Sequence, residues 1–264
     1  MKYLFSGEII GNVMSKTEKR FGLLGKNISY SFSRKYFTEK FETLGLDQYE
    51  YVNYDLEKIE DFNKIVVQDL GFLGGLNVTI PYKQSIMGYL DEIDEEAKSI
   101  GAVNTIKVLD HNRLKGFNTD AYGFETSLRS CWRGSEQGAL ILGTGGASKA
   151  VAFVLKKMGV PFLFVSRNKT SENIISYEQI NEKLLRGHEM IINCSPLGTF
   201  PDINLKPDLP YEFLTDRHLL YDLIYNPEKT SFLKMGEKAG AIVMNGKSML
   251  KHQADKSWEI WNSQ

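Results

Sequence analysis

The chain has 264 residues, with 32 Lys and Arg against 33 Asp and Glu and 42% hydrophobic residues, enough for one large or two moderate globular domains. A formal charge of −1 offers no basic field to a nucleic-acid backbone, and no apolar run approaches the roughly 18–20 residues needed to cross a bilayer. Two cysteines, Cys131 and Cys194, cannot build a disulfide framework and read as small buried residues; the four histidines show no ligand spacing, so a reduced, cytoplasmic, metal-free protein is expected, partnered by neither nucleic acid nor membrane.

Residues 1–20 are polar, carry Glu8 inside their only apolar stretch, and end in Lys16, Glu18, Lys19 and Arg20; they read as a loose extension rather than a signal peptide. The run 20–25 predicts a first strand. Phe37, Phe41 and Leu44 keep helical spacing from about Ser33, and Gly45 supplies the stop. Residues 49–54 predict a second strand, 56–70 a helix, and 76–80 a third strand ending at Pro81. Residues 102–109 and 113–117, bridged by Asp110-His111-Asn112, predict a hairpin on the same sheet. Strands alternating with helices imply a parallel or mixed sheet.

After a helix and loop at 121–137 the pattern restarts with the apolar strand 139–142 and Gly143-Thr144-Gly145-Gly146-Ala147, then a helix at 147–158 closed by Gly159. Further strands are predicted at 161–165, 190–193, 219–223 and 241–244, which is βαβ repetition. A final helix, 248–261, is rich in Trp and Lys and need not belong to the second sheet. The fold class expected is α/β with two domains. Residues 1–120 with 245–264 form a substrate domain on a mixed sheet, and 121–244 form a Rossmann-like dinucleotide-binding domain.

A pyrophosphate needs backbone amides at a helix N-terminus, and glycines let the main chain come close enough. Gly143, Thr144, Gly145, Gly146 and Ala147 meet that need, although the third glycine directly follows the second. At the end of the next strand, where an acidic residue would bind the ribose of NAD, stand Ser166, Arg167, Asn168 and Lys169. Two cations and no carboxylate favour the 2′-phosphate of NADP.

The string Gly75-Leu76-Asn77-Val78-Thr79-Ile80-Pro81-Tyr82-Lys83 runs from a strand toward a helix expected to begin at Pro81. Lys83 then lies in a first turn, where a cation opposes the helix dipole, so a tuned ammonium suits it better than a structural role. Together with Ser31-Phe32-Ser33, Gly101-Ala102-Val103-Asn104-Thr105 and Gly116-Phe117-Asn118-Thr119-Asp120, this string closely resembles the shikimate dehydrogenases. The resemblance spans the chain, through Ile192-Asn193-Cys194-Ser195-Pro196-Leu197-Gly198, Tyr221-Asp222-Leu223-Ile224-Tyr225-Asn226-Pro227, Asn245-Gly246, Met249-Leu250 and Gln253-Ala254. Arg34 stands where that family usually has proline, Ser166-Arg167-Asn168 replaces its usual Asn-Arg-Thr, and residues 1–20 have no counterpart.

The resemblance implies reversible hydride transfer between NADPH and 3-dehydroshikimate, yielding shikimate in aromatic amino-acid biosynthesis, by a monomer or homodimer. It implies Lys83 as general acid and base with Asp120 holding its ammonium, and Thr79, Asn104 and Gln253 as hydroxyl clamps. Ser31 and Ser33 would take the substrate carboxylate, with Tyr225 nearby. Two other readings are set beside it: a quinate/shikimate dehydrogenase using NAD, and a catalytically silent NADP-binding regulator of the same fold. Tyr36 to Lys40 and Tyr54 to Lys58 have the spacing of short-chain reductases, but both precede the glycine loop.

Overall fold

The computed structural model describes residues 18–29, 31–69, 71–134, 137–168 and 171–263. The first unit carries β1 (Lys19–Gly25), α1 (Phe32–Thr43), β2 (Tyr49–Asp55), α2 (Phe62–Asp69), β3 (Leu73–Val78), β4 (Glu92–Ile93), α3 (Glu95–Ile100), β5 (Thr105–Val108) and β6 (Leu114–Phe117). Its sheet has the order β2-β1-β3-β5-β6-β4, with β1 parallel to both neighbours and the β5–β6 hairpin antiparallel. The expected mixed sheet is present, and the hairpin turns through His111 and Asn112, both at positive φ.

Several expected boundaries move. Lys19 and Arg20 belong to β1 rather than to a loose extension, and Arg20 pairs with Glu50 at 2.6 Å and Asp69 at 2.5 Å; the rest of that extension, 1–17, lies outside the described residues. The helix expected over 56–70 is shorter, a 3-10 turn at Ile59–Asp61 leading into α2, and Leu70 lies outside the described residues. Leu44 is 51% exposed, because α1 ends one residue earlier and buries Phe37 and Phe41 instead. The third strand begins at Leu73, since glycines at 74 and 75 leave room for the rings of Phe21 and Trp261, where any Cβ would collide at 2.6 and 2.2 Å.

No α-helix starts at Pro81. The Tyr82 amide donates to the Thr79 carbonyl at 2.9 Å, and the chain passes through a turn into a 3-10 segment, Ser85–Tyr89. Lys83 therefore lies in no α-helix of its own whose dipole it would oppose, and its ammonium is held by other means.

The second unit follows α4 (Asp120–Leu128) and contains β7 (Ala139–Leu142), α5 (Gly146–Lys157), β8 (Phe162–Val165), β9 (Ile174–Ile175), α6 (Glu182–Gly187), β10 (Met190–Asn193), β11 (Leu219–Asp222), α7 (Ser231–Lys238) and β12 (Ile242–Met244). All its strands pair in parallel in the order β12-β11-β10-β7-β8-β9, the doubly wound order of dinucleotide-binding folds. Burial on both faces explains the apolar run of Ala139–Leu142 and that of Met190, Ile191 and Ile192, both strands being fully buried. The strand order reverses between β7 and β10, which makes the crevice beyond their C-terminal ends the place for a ligand.

The last helix, α8 (Lys247–Asn262), returns to the first sheet, as expected. Its Trp261 donates to the Ile106 carbonyl at 2.9 Å, and Ala254 and Trp261 join Phe21, Phe37, Phe41 and Tyr51 in one apolar cluster. α8 also lies against α4, where Gly123 brings the backbone of one helix close to Met249 of the other. Among the described residues no helix is long and apolar enough to cross a membrane, and no cluster of His, Cys, Asp and Glu could hold a metal ion.

Candidate active site

Two adjoining cavities open between the sheets, and Thr79, Ile80, Lys83, Ala147 and Pro196 line both. The first, of about 570 Å³, follows the C-terminal ends of β7, β8 and β10. Gly143 leaves β7 at φ +116, a conformation that favours glycine, and its amide donates to the Val165 carbonyl at 2.9 Å. Gly145 caps α5 without any side-chain hydrogen bond, so the first amides of that helix point at the cavity with the positive end of the dipole behind them. Gly146 sits so near Lys83 that a methyl group there would stand 3.1 Å from the lysine Cβ. Thr144 and Ala147 complete the turn.

Ser166, Arg167 and Asn168 line the same cavity, with the Ser166 hydroxyl accepting the Asn168 amide at 3.4 Å. Arg167 is exposed and makes no ion pair among the described residues. Lys169 lies outside the described residues. Tyr177 also faces this cavity and had no signal in the sequence; burial pushes its phenol up, while the Arg167 guanidinium pulls the other way. Cys194, at the end of β10, is half-buried rather than buried, as is Cys131: the crevice leaves one side of the Cys194 residue open. Its thiol is held well above the ordinary range by desolvation.

The second cavity, of about 480 Å³, is lined by Ser31, Ser33, Thr79, Lys83, Asn104, Asp120, Tyr225 and Gln253. All eight residues singled out for substrate and catalysis therefore converge, from the β1–α1 connection and the start of α1, the turns after β3 and before β5, the start of α4, the segment after β11, and α8. Lys83 is held from both ends. Its carbonyl accepts the Val103 amide at 2.7 Å, and its Nζ donates to Asp120 Oδ2 at 2.5 Å, with side chains only 14% and 7% exposed. Asp120 opens α4, where the dipole favours a carboxylate, and its Oδ1 accepts from Asn104 Nδ2 at 2.9 Å. Asn104 Oδ1 in turn accepts the Thr119 amide at 2.7 Å, which fixes the amide flip. Gln253 Oε1 lies 3.3 Å from both Asn104 Nδ2 and Thr119 Oγ1.

Ser31 caps α1, accepting the Ser33 amide at 3.1 Å, so the capping role belongs to Ser31 while both line the cavity. Tyr225 meets the Phe32 ring edge-on at 5.7 Å. Sequence reasoning missed Asn77, which is 4% exposed, lines this cavity and accepts the Tyr51 hydroxyl at 2.8 Å. Its place in the string ending at Lys83 was the available signal. The reductase-like pairs go elsewhere: Tyr36 and Lys40 both bind Asp255, at 2.5 and 2.6 Å, and Tyr54 donates to Asp69.

Fold and site together define a two-domain α/β protein of the dinucleotide-binding class, with a Lys–Asp pair where its two cavities meet. Residues 23–106 match the family model described as the shikimate dehydrogenase substrate binding domain. A curated shikimate dehydrogenase (NADP(+)) from Clostridium beijerinckii is 38% identical over 252 residues, covering 91% of each chain. One from Methanococcus maripaludis is 38% identical over 264 residues, covering 94% of this chain and 92% of its own. The solved structure of a shikimate 5-dehydrogenase from Thermus thermophilus, in complex with NADP(H) and shikimate, superposes with a TM-score of 0.80 at 30% identity, covering 92% of this chain and 93% of that one. The chain belongs to the shikimate dehydrogenase family.

Proposed function

We propose that the protein is an NADP-dependent shikimate dehydrogenase, reducing 3-dehydroshikimate reversibly to shikimate in aromatic amino-acid biosynthesis. The observation that carries this reading is the Lys83–Asp120 pair, which stands at the junction of a glycine-lined cavity and a cavity walled by neutral hydrogen-bonding side chains. The residues suit the cofactor: glycine backbone and the start of α5 would hold its pyrophosphate, and Ser166, Arg167 and Asn168, with Lys169, would hold a 2′-phosphate. When bound, NADPH supplies the hydride.

The chain's own part is the proton and the orientation. Lys83 as an ammonium would donate to the carbonyl oxygen as it gains negative charge, and as an amine would take the proton back in the reverse direction. Asp120 keeps that ammonium in place. Its other oxygen is already taken up by Asn104, so the carboxylate cannot swing away without breaking a second bond. Thr79, Asn104 and Gln253 would orient the ring hydroxyls, and Ser31 and Ser33, with Tyr225, the carboxylate. We place the boundary between substrate and cofactor domains at 120 and 245, where α4 and α8 make the connections, and the enzyme in the cytoplasm as a monomer or homodimer with both cysteines as reduced thiols.

Purified protein incubated with shikimate or quinate, and with NADP or NAD, tests the reading through nicotinamide absorbance. Shikimate with NADP is expected to give the highest kcat/KM. A preference for NAD or quinate would favour the quinate/shikimate alternative, and no turnover in any combination would favour the silent regulator.

A further inference from the structure

Beneath the substrate-side cavity lies a group of three hydroxyls, fully shielded from solvent: Thr105 of β5, Thr119 just before α4, and Ser257 of α8. They form a triangle. The Thr105 and Ser257 oxygens are 2.8 Å apart, and each lies 3.2 Å from that of Thr119. Every vertex touches an amide side chain that lines the cavity. Ser257 Oγ accepts from Asn77 Nδ2 at 2.9 Å, Thr119 Oγ1 accepts from Asn104 Nδ2 at 3.0 Å and sits 3.3 Å from Gln253 Oε1, and Thr105 Oγ1 lies 3.2 Å from Asn104 Oδ1.

The hydrogens can be counted. Ser257 spends its one proton on the Gln253 carbonyl a turn earlier, at 2.9 Å, so its oxygen is left to accept from Asn77 and Thr105. That back-bond does little for the helix itself. The hydroxyl is explained by what it holds. Asn77 Nδ2 has only weaker partners besides it, the Asn104 carbonyl at 3.4 Å and Thr105 Oγ1 at 3.3 Å.

We propose that Ser257, through this triangle, is a positioning residue for substrate recognition, setting the side-chain amides of Asn77, Asn104 and Gln253 in the orientation that the substrate hydroxyls meet. The inference rests on the cavity being the shikimate site. Ser257 is out of reach of any ligand, so its effect passes through those amides.

The test compares steady-state kinetics of wild type, Ser257→Ala, Thr105→Val and the double variant. Ser257→Ala is expected to raise KM for shikimate about 5- to 30-fold while leaving KM for NADP unchanged, because loosened amides weaken one ligand only. Thr105→Val keeps the side-chain volume, removes a second vertex, and carries the test if the serine variant does not fold. The double variant should lose less than the product of the single losses, since both break the same triangle. A KM for NADP that rises in parallel, an unchanged KM for shikimate, or losses that multiply would overturn the positioning role. A wild type that does not oxidise shikimate would sink the functional reading and this inference with it, whereas an active wild type with an indifferent variant sinks the inference alone.

Discussion

The two cavities that meet at Lys83 are built from different materials. On the substrate side the wall is side chain: Asp120, Asn104, Gln253 and Asn77 each hold another polar group in a buried network. On the cofactor side it is largely backbone, a glycine turn and a helix start with no side-chain cap, and Arg167 stands exposed at the rim. The difference follows from the ligands of the proposed reaction. Phosphates spread charge over many oxygens and bind well to rows of amides and a dipole, whereas a ring with several hydroxyls is told from its isomers by donors and acceptors fixed at definite angles.

That contrast can be broken from either side. The largest effect is expected from Lys83→Ala, which should retain fold and shikimate binding yet lose about 10²- to 10⁴-fold in kcat, the usual worth of general acid–base assistance. Near-normal turnover in a stopped-flow or steady-state assay would remove Lys83 as proton donor. On the cofactor side, Arg167→Ala should weaken NADP by roughly 10- to 150-fold, since a charge-assisted hydrogen bond contributes about 1.5–3 kcal/mol. NAD lacks the 2′-phosphate and should change little. The ratio of kcat/KM for NADP to that for NAD, in wild type and variant, decides it, and a constant ratio would move the discrimination to Asn168 and the loop beyond.

Smaller shifts sharpen the comparison. Ser31→Ala combined with Ser33→Ala should raise KM for shikimate about 5- to 30-fold with little change for NADP; if both constants rose together, loss of the α1 cap would be the better account. The least effect on activity is expected at Asp222, buried at the end of β11, where it accepts from Asn193 at 3.0 Å, Thr230 at 2.6 Å and the Ile224 amide at 3.0 Å. Burial outweighs these donors and pushes its carboxyl up to about 6. A folded-state value above the unfolded one, near 4, means the folded chain binds the proton more tightly. Its contribution to stability is thus greatest below about pH 4 and is lost as pH rises through 6. Wild type should therefore gain on Asp222→Asn as pH falls from 7 to 5, by about 1 kcal/mol in urea titrations. A pH-independent gap would show that the carboxyl ionises normally.

Much of the cofactor side was legible in the sequence, and the reason is local. The apolar strand 139–142, the glycines at 143, 145 and 146 and the basic residues after β8 lie close together along the chain, and their geometry is set by φ, by helix starts and by alternation. The substrate side was legible only as motifs. Lys83 and Asp120 were paired by family resemblance, while the helix expected at Pro81 proved to be a turn and a 3-10 segment, because the Thr79 carbonyl takes the Tyr82 amide and Lys83 is tied to Val103 instead. Nothing in the local pattern distinguishes those outcomes, since both begin with a helix-compatible proline.

By itself the sequence determined the alternation of strands and helices, the point where a second parallel sheet restarts, the phosphate-binding turn and the resemblance that named the polar residues. These depend on neighbours in the chain and on backbone preferences that each residue carries with it. Only the tertiary structure decided that Asn77 meets Ser257, 180 residues away, that glycines at 74 and 75 make room for aromatic rings, and that the hydroxyl of Tyr51 ends on Asn77. Such contacts arise because α8 must bury Ala254 and Trp261 against the first sheet, and that burial carries its Gln253 and Ser257 under the site.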